Sequence, residues 1–443
     1  MNKVLLSILI ALAISSIVAV NPGAVVGIRE PILSQIKNQY YQIIMMGFEW
    51  ISVGNVKSGS LELTGVTPDL DISGPEAVHL GFDKSRNALV VNVTDAGLNV
   101  HTNWKDSSSS KSGTTDVVGT LDLITMYMTF DATQVNETFR PKINFEEVNI
   151  MHSESKFDFQ WTCSECSESL QQKLNETLRN DLFAQFNEEA LEIVNLRIST
   201  IVNLQLETMY PDTFPLSGDI SINVGLTDVI QVEDEFLAVP IDATIFLNEH
   251  GYNRPTEAPP IDFVNPNTPG DMLLFTSDYV FKCISIIMNK YPMHFEIPIY
   301  GTIFQINIDG GNIPFELESE EGHMRLVAGG NVTVPLWNAG VAFALESELD
   351  LNIMKGDSVS MLFIHPVLKA ATFDMFKVKL WGMTFDLGHS VVPYLDMIIE
   401  TVLDVVFFPK FNIPKLEALP ITATEAELKF HGNFTELGFS FDF

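Results

Sequence analysis

Apolar positions along the chain follow two alternating periods. Four stretches return an apolar residue every three or four positions, the spacing of one helical face. The first, Ile28–Gly47, carries Ile32, Ile36, Tyr40 and Ile43. The second, Ser169–Thr208, is the longest, with a stripe of Leu170, Leu174, Leu178, Leu182, Phe186, Ala190, Val194 and Ile198 at steady four-residue steps. The third, Asp271–Lys290, holds Leu273, Val280, Cys283, Ile284 and Ile287. The fourth, Ser390–Phe407, sets Asp396, Glu400 and Asp404 along one polar face. Each stripe is one-sided, so each helix is expected to lie along a larger apolar surface.

Between these stretches the period drops to two. Leu61 and Leu63, Ile220 to Leu226, Phe304 to Ile308, Leu349 to Ile353 and Phe439 to Phe443 alternate with polar or small residues. They predict half-buried antiparallel strands. Within Leu121–Phe130 the phase slips, Leu121 and Leu123 giving way to Met126, Met128 and Phe130, as a bulge would produce. The order helix, strands, helix, strand occurs twice, on either side of a connector that contains Pro255, Pro259, Pro260, Pro266 and Pro269. The expected organisation is therefore α+β, with one half over 20–252, a Pro-rich linker over 253–270 and a second half over 271–443. The repeat is one of architecture; no strong residue-level repeat accompanies it.

The first nineteen residues read as an address. Lys3 supplies a positive start, Val4 to Ile14 an apolar run, and Ser15 to Ala19 small residues for cleavage. A cleaved signal peptide over 1–19 implies a secreted or lumenal protein. Five Asn-x-Ser/Thr sequons, at Asn92, Asn136, Asn175, Asn331 and Asn433, agree with that compartment.

Charge narrows the partners. With 25 basic and 57 acidic residues the chain has a formal charge of −32, so neither a nucleic acid nor a polybasic grip on anionic headgroups is expected. The nine histidines are scattered, and no nucleophile elbow, His-Glu-x-x-His or phosphate-cradling glycine loop occurs. The expectation is a protein that is not an enzyme and uses no cofactor or metal. Of three cysteines, Cys163 and Cys166 form a Cys-x-x-Cys without the second ligand pair that zinc needs. A local disulfide and two unpaired thiols both remain open; Cys283, on a helical stripe, reads as a buried free thiol. The 31 Phe and 16 Met give surplus apolar surface. A twisted sheet wrapped on a long helix either packs it solidly or leaves a space that acyl chains fill at ~0.8 kcal/mol per methylene; composition does not choose between them.

Several short motifs, in order, resemble the bactericidal/permeability-increasing protein family, which includes lipopolysaccharide-binding, cholesteryl ester transfer and phospholipid transfer proteins. They are Asn21-Pro22-Gly23-Ala24-Val25-Val26, Thr162-Cys163-Ser164-Glu165-Cys166, Leu178-Arg179-Asn180, Pro259-Pro260 followed by Ser277-Asp278-Tyr279-Val280-Phe281, and the tail from Phe408-Pro409 through Asn433-Phe434 to Phe443. The resemblance implies an elongated, tubular two-barrel fold. Each half is then a twisted antiparallel sheet wrapped on a long helix, joined by a central sheet and able to hold a phospholipid-like molecule.

Two departures qualify it. The family's disulfide reaches a helix cysteine whose position falls at about Asn187, and no Cys lies near it. The antibacterial member's basic tip is matched here by Asn103-Trp104-Lys105-Asp106-Ser107-Ser108-Ser109-Ser110-Lys111, where an aspartate and four serines fill the loop. The favoured reading is a lipid-binding or lipid-transfer protein for a phospholipid or another neutral or zwitterionic lipid, meeting a membrane or lipid particle transiently. Lipopolysaccharide-directed defence and a structural glycoprotein without ligand are the rivals. Apolar helix faces and the slipped strand place the expected lining at Ile32, Ile36, Ile43, Met126, Met128, Phe130, Leu174, Leu178, Leu182 and Phe186.

Overall fold

The computed structural model describes residues 21–48, 54–135, 138–162, 166–209, 212–217, 219–261, 268–291, 293–299, 302–308, 313–355, 362–380, 383–386 and 422–442. In chain order the first half contains β1 (Ala24–Arg29), α1 (Glu30–Phe48), β2 (Val56–Ser58), β3 (Leu61–Asp71), β4 (Val78–Asp83), β5 (Ala88–Asp106), β6 (Lys111–Val135) and β7 (Thr138–Trp161). The long helix α2 (Glu168–Met209) follows, then β8 (Thr213–Ser217), β9 (Ile220–Asn223), β10 (Gln231–Val232), β11 (Phe236–Ile241) and β12 (Ile245–Leu247). The second half contains β13 (Met272–Ser277), α3 (Asp278–Lys290), β14 (Met293–Ile299), β15 (Thr302–Ile308), β16 (Glu316–Glu320) and β17 (His323–Val334). It continues with β18 (Ala339–Lys355), β19 (Leu362–Leu380), β20 (Met383–Asp386), β21 (Thr422–His431) and β22 (Phe434–Asp442). The described residues thus form an α+β fold of antiparallel sheets with one long helix.

The two halves meet in one sheet, ordered β10-β11-β1-β13-β22-β21. Its middle pair joins β1 to β13, with Val26 opposite Leu274, and each of these strands leads directly into a helix. Outside them lie β11, with Val239 opposite Val26, and β22, with Leu437 opposite Leu274. The pattern is an approximate two-fold about the β1–β13 seam. Phe236, Phe275 and Phe434 pack across it from three strands.

The linker is docked at this seam. Asp242 is buried, and its carboxylate accepts from Arg254 Nη1 at 2.7 Å, Tyr252 OH at 3.1 Å and the Thr244 amide at 2.9 Å. Thr244 in turn meets the Tyr279 hydroxyl of α3 at 2.6 Å, and Arg254 also donates to the Asn21 carbonyl at 2.6 Å. Burial and the neighbouring Asp242 carboxylate push Tyr252 up to about 12, and burial raises Tyr279 further. Gly23 is confined beneath the network: a Cβ there would lie 2.1 Å from the Asp242 carbonyl oxygen.

In the first half a sheet ordered β2-β3-β5-β6-β7, with β4 on β5, curls round α2. Both of its edges, β2 and β7, touch that helix. The stripe from Leu170 to Ile198 faces inward, with Leu174, Leu178 and Leu182 at 0% exposure. A regular α-helix could not hold it there. Four residues turn about 400°, so seven such steps would swing the stripe ~280° round the helix. Two π-helical stretches, Thr177–Leu182 and Asn195–Ser199, underwind α2 and recover about 100° each.

Beside that stripe a second row grips the strand. Asn187 Oδ1 accepts from the Ile150 amide at 2.9 Å. Asn195 accepts from the Phe145 amide at 2.8 Å and donates to its carbonyl at 2.7 Å. Asn203 makes the same pair of bonds with Ile143, at 2.7 and 2.9 Å. The three amides occupy the hydrogen-bonding edge that β7 would otherwise leave open.

In the second half the sheet order is β14-β15-β17-β18-β19-β20, with β16 on β17. Helix α3 lies against β16, where Phe315 and Asn289 exchange two hydrogen bonds. The fourth expected helix, Ser390–Phe407, lies outside the described residues. Two expected boundaries change. Residues 271–277 are strand rather than helix start, because Leu273 and Phe275 alternate into the core and Ser277 donates to the Gly23 carbonyl. Ile28 likewise belongs to β1, and α1 begins at Glu30. The phase slip in β6 coincides with register shifts against β7 at Leu121 and Leu123, so that Leu121, Ile124 and Met126 are buried.

Removing the guanidinium from the seam would leave a buried carboxylate without its cation. Arg254→Met is expected to lower the unfolding free energy by ~3 kcal/mol or more, read as a lower urea midpoint. Asn195→Ala, which strips two bonds from the β7 edge, is expected to cost ~1–3 kcal/mol in the same assay.

Candidate functional site

The interior of the first half is one continuous apolar core, and it is not filled evenly. Around the first turns of α2 the packing is complete, with Leu170, Leu174 and Leu178 against Val56, Leu61, Leu63 and Trp104 among its members. Further along, a crevice opens between α2 and the sheet. Phe183, Phe186, Ala190 and Val194 form its helix side, and Leu98, Leu121, Ile124 and Val148 part of its sheet side. All ten residues that line it are aliphatic or phenyl, and the space it encloses is about 30 Å³. That is room for one or two water-sized groups. Nothing in this lining can bind a metal, move a proton or attack a bond; it can only exchange water for apolar atoms. Among the described residues no cluster of three or more His, Cys, Asp or Glu could hold a metal ion.

One border of the crevice is aromatic. His152 stacks on Phe183 with ring centres 3.9 Å apart, and Phe157 meets Phe183 edge-on at 4.9 Å. Phe183 is held from β7 by these rings and packs against Phe186, 6.2 Å away, on the next turn. A change at His152 or Phe157 would therefore be felt at the crevice.

The residues singled out from the sequence are distributed as follows. Phe186 lines the crevice. Leu174, Leu178 and Leu182 are fully buried in the core beside it, and Met126 is buried with them. Met128 and Phe130 are half-buried and touch both this core and a second cluster around Leu33, Leu89 and Ile230. Ile32 and Ile36 are not brought together with α2. They pack on the central sheet, against Phe441, Phe439 and Met272. The side chain of Ile43 lies outside the described residues. The sequence reading overlooked Phe183, Ala190, Val194 and the sheet positions Leu98 and Val148. Three of these stand on α2, two of them on the four-residue stripe, and that stripe was the available signal.

The other expected sites are placed plainly. Cys166 is disulfide-bonded, Cys283 is a buried free thiol whose pKa burial raises, and Cys163 lies outside the described residues. Asn433 is exposed in the turn before β22; Asn92, Asn175 and Asn331 are half-buried, and Asn136 lies outside the described residues. Asn92 accepts a hydrogen bond from Thr125, and Asn331 from Asn307.

The turn between β5 and β6 is closed by its own aspartate. Asp106 is buried, and its carboxylate accepts from Ser109 Oγ at 2.6 Å, Ser108 Oγ at 2.7 Å, the Ser109 amide at 3.0 Å and Ser60 Oγ. Lys173 of α2 lies 3.6 Å away. The Ser109, Ser60 and Ser108 hydroxyls hold this carboxyl far below the ordinary carboxylate range. This internal carboxylate takes up the serine donors and faces Lys173, so the turn is plugged by its own anion and those donors are not free to grip a phosphate.

No protein-family model and no curated protein matches the sequence. The fold does have a likeness among solved structures. A crystal structure of lipopolysaccharide binding protein superposes with a TM-score of 0.51 at 15% identity, over 96% of this chain and 100% of that one. The likeness shows the fold.

Because the folded pKa of Asp106 is depressed, its contribution to stability is present above the unfolded value near 4 and is lost as pH falls through the folded one. Asp106→Asn is therefore expected to lower the melting temperature at pH 7, and the difference from wild type should shrink progressively below pH 4.

Proposed function

We propose that the protein is a lipid-binding protein that holds acyl chains against α2 in the first half, and that it carries lipid between surfaces without covalent chemistry. The observation that carries this reading is the crevice: a lining without one polar side chain, along a helix that the sheet wraps only partly. Burying methylenes there is favourable at ~0.8 kcal/mol each, and no charged headgroup could follow them in. The likeness to a lipopolysaccharide binding protein supports lipid as the class of ligand. The preferred lipid is neutral or zwitterionic, because the plugged turn at Asp106 and the charge of −32 disfavour a phosphate-rich glycolipid.

The same proposal extends to the rest of the chain. The second half forms its own barrel with the helix expected over Ser390–Phe407. The chain is secreted or lumenal after loss of residues 1–19. Asn433 carries a glycan. Since the enclosed space is far smaller than an acyl chain, loading requires α2 to lift from the sheet between Phe183 and Val194. The two π stretches, Thr177–Leu182 and Asn195–Ser199, flank that segment and offer places to flex.

Solvent extraction of the purified protein, followed by mass spectrometry, is expected to yield about one or two two-chain lipids per protein. Ala190→Val adds two methyl groups, about what the crevice has room for, and should cut that yield while the protein stays folded. Leu182→Ala, in the packed core, should cost ~2–5 kcal/mol of stability and leave the yield per folded molecule unchanged. A chain that co-purifies with no lipid and refuses added phosphatidylcholine would instead be a structural glycoprotein.

A further inference from the structure

Both halves carry a set of turns remote from the central sheet, and the two sets have opposite chemistry. In the second half the β16–β17 turn is docked on the central sheet: Gly322 N donates to the Phe430 carbonyl at 3.3 Å, and Ser319 Oγ to the His431 carbonyl at 2.9 Å. From there β17 runs outward for twelve residues, ~40 Å at 3.3 Å per residue. The turn at its far end is Pro335–Trp337. Register brings the ends of two more strand pairs beside it: Ile308 to Gln305 run antiparallel to Gly330 to Thr333, and Ala339 lies opposite Leu380, which faces Met383.

The first half is built the same way. Its β4–β5 turn is docked through Lys84–Glu233 at 2.6 Å and the Val232 amide to Asn87 at 2.6 Å. From it β5 runs outward to the serine-rich turn plugged by Asp106.

The second far end has no such polar filling. Leu336 is 79% exposed, Met383 58% and Ile303 51%. The sequence around it is nearly free of charge. Segments 297–305, 332–343 and 378–385 contain a single ionisable side chain of the Asp, Glu, Lys and Arg kind, Lys379, in a chain with 57 acidic residues. Scattered exposed apolar residues need no explanation, but these share one end of one sheet with an almost complete loss of charge.

We infer that this end is a lipid-surface anchor that dips into the interface of an electrically neutral, zwitterionic membrane or monolayer. Apolar side chains on turns reach the acyl boundary first, and their insertion scales with the apolar area taken out of water. The turn has fewer backbone groups to strand, since Pro335 has no N–H and its carbonyl accepts from the Asn338 amide at 3.2 Å. Charge selects the surface. With −32 overall and one lysine at the anchor, nothing here attracts an anionic leaflet, and the rest of the molecule is repelled by it. The anchor would bring a lipid carrier to its donor surface, yet it is a separate site from the crevice and can be tested apart from it.

The test is flotation of the full chain with phosphatidylcholine vesicles. Wild type is expected to float, and to float less when phosphatidylserine is included at low salt. Leu336→Asp and Met383→Asp should each lower the partition coefficient about tenfold or more, because a large apolar side chain no longer enters lipid. Leu336→Trp should retain flotation, and Ser112→Asp, at an exposed position beside the opposite turn, should not change it. Melting temperature and extractable lipid should be the same in all four. Wild type left in the pellet, or Asp variants that float like wild type, would overturn the anchor. So would a wild type that self-associates and is made monomeric by Leu336→Asp, which would make this end an interface between copies. Flotation with no extractable lipid would sink the crevice reading and leave the anchor standing.

Discussion

Strand β7 has a partner strand on one side only, and what holds its other side decides the shape of the first half. A row of unpaired amides and carbonyls along twenty-four residues would either bind water or recruit another strand. Here α2 takes that place with side-chain amides. Asn187 to Asn203 spans sixteen helical residues, ~24 Å. The strand residues they hold, Ile150 to Ile143, span seven, ~23 Å. The two elements advance at the same pace, so three asparagines eight residues apart can serve one edge.

That match explains the winding of α2. Its apolar row repeats by fours over about eight turns and its asparagine row by eights over about four, and both must keep facing the sheet. Underwinding at two π stretches keeps the rows aligned, at the cost of poorer hydrogen bonds within the helix. The same compromise positions the crevice. Toward its start α2 is pressed between β2 and the interior of the sheet; further on β7 and its amide contacts carry it, and there the apolar packing is incomplete.

How far the sequence disclosed this depends on the kind of signal. The stripe from Leu170 to Ile198 marked α2 almost to the residue, since burial on one side of a long helix leaves a periodic trace. The strand Met272–Ser277 was read as helix because six residues with three apolar neighbours carry no decisive period. Its state is fixed by pairing with β1 and β22, which no local pattern reports. The central sheet joins strands more than two hundred residues apart, and this is why Ile32 and Ile36, read as facing α2, turn instead to Phe441. Asn187, Asn195 and Asn203 were visible at a spacing of eight, but polar residues on a helix ordinarily mean solvent, and only the open edge of β7 gives them a task.

The crevice and the seam place opposite demands on the same half, and their chemistry keeps them apart. At the seam, Asp242, Arg254, Thr244 and Tyr279 form a buried polar network that fixes one arrangement of linker, β11 and α3. Such a network tolerates little displacement, because each lost partner leaves a desolvated polar group behind. Around Phe186 and Ala190 the contacts are dispersion and water exclusion, which are non-directional and can re-form against an acyl chain. Sliding of α2 there breaks no buried ion pair among the described residues. The asparagine ladder sets the limit: Asn195 and Asn203 clamp the far end of the helix to β7 with two bonds each, whereas Asn187 beside the crevice makes one. Along the β7 edge the helix is therefore held by the fewest bonds where its apolar face is least filled, and a lipid chain that entered between Phe183 and Val194 would otherwise meet the Glu189 carboxylate, which accepts from the Gly54 amide at 2.9 Å.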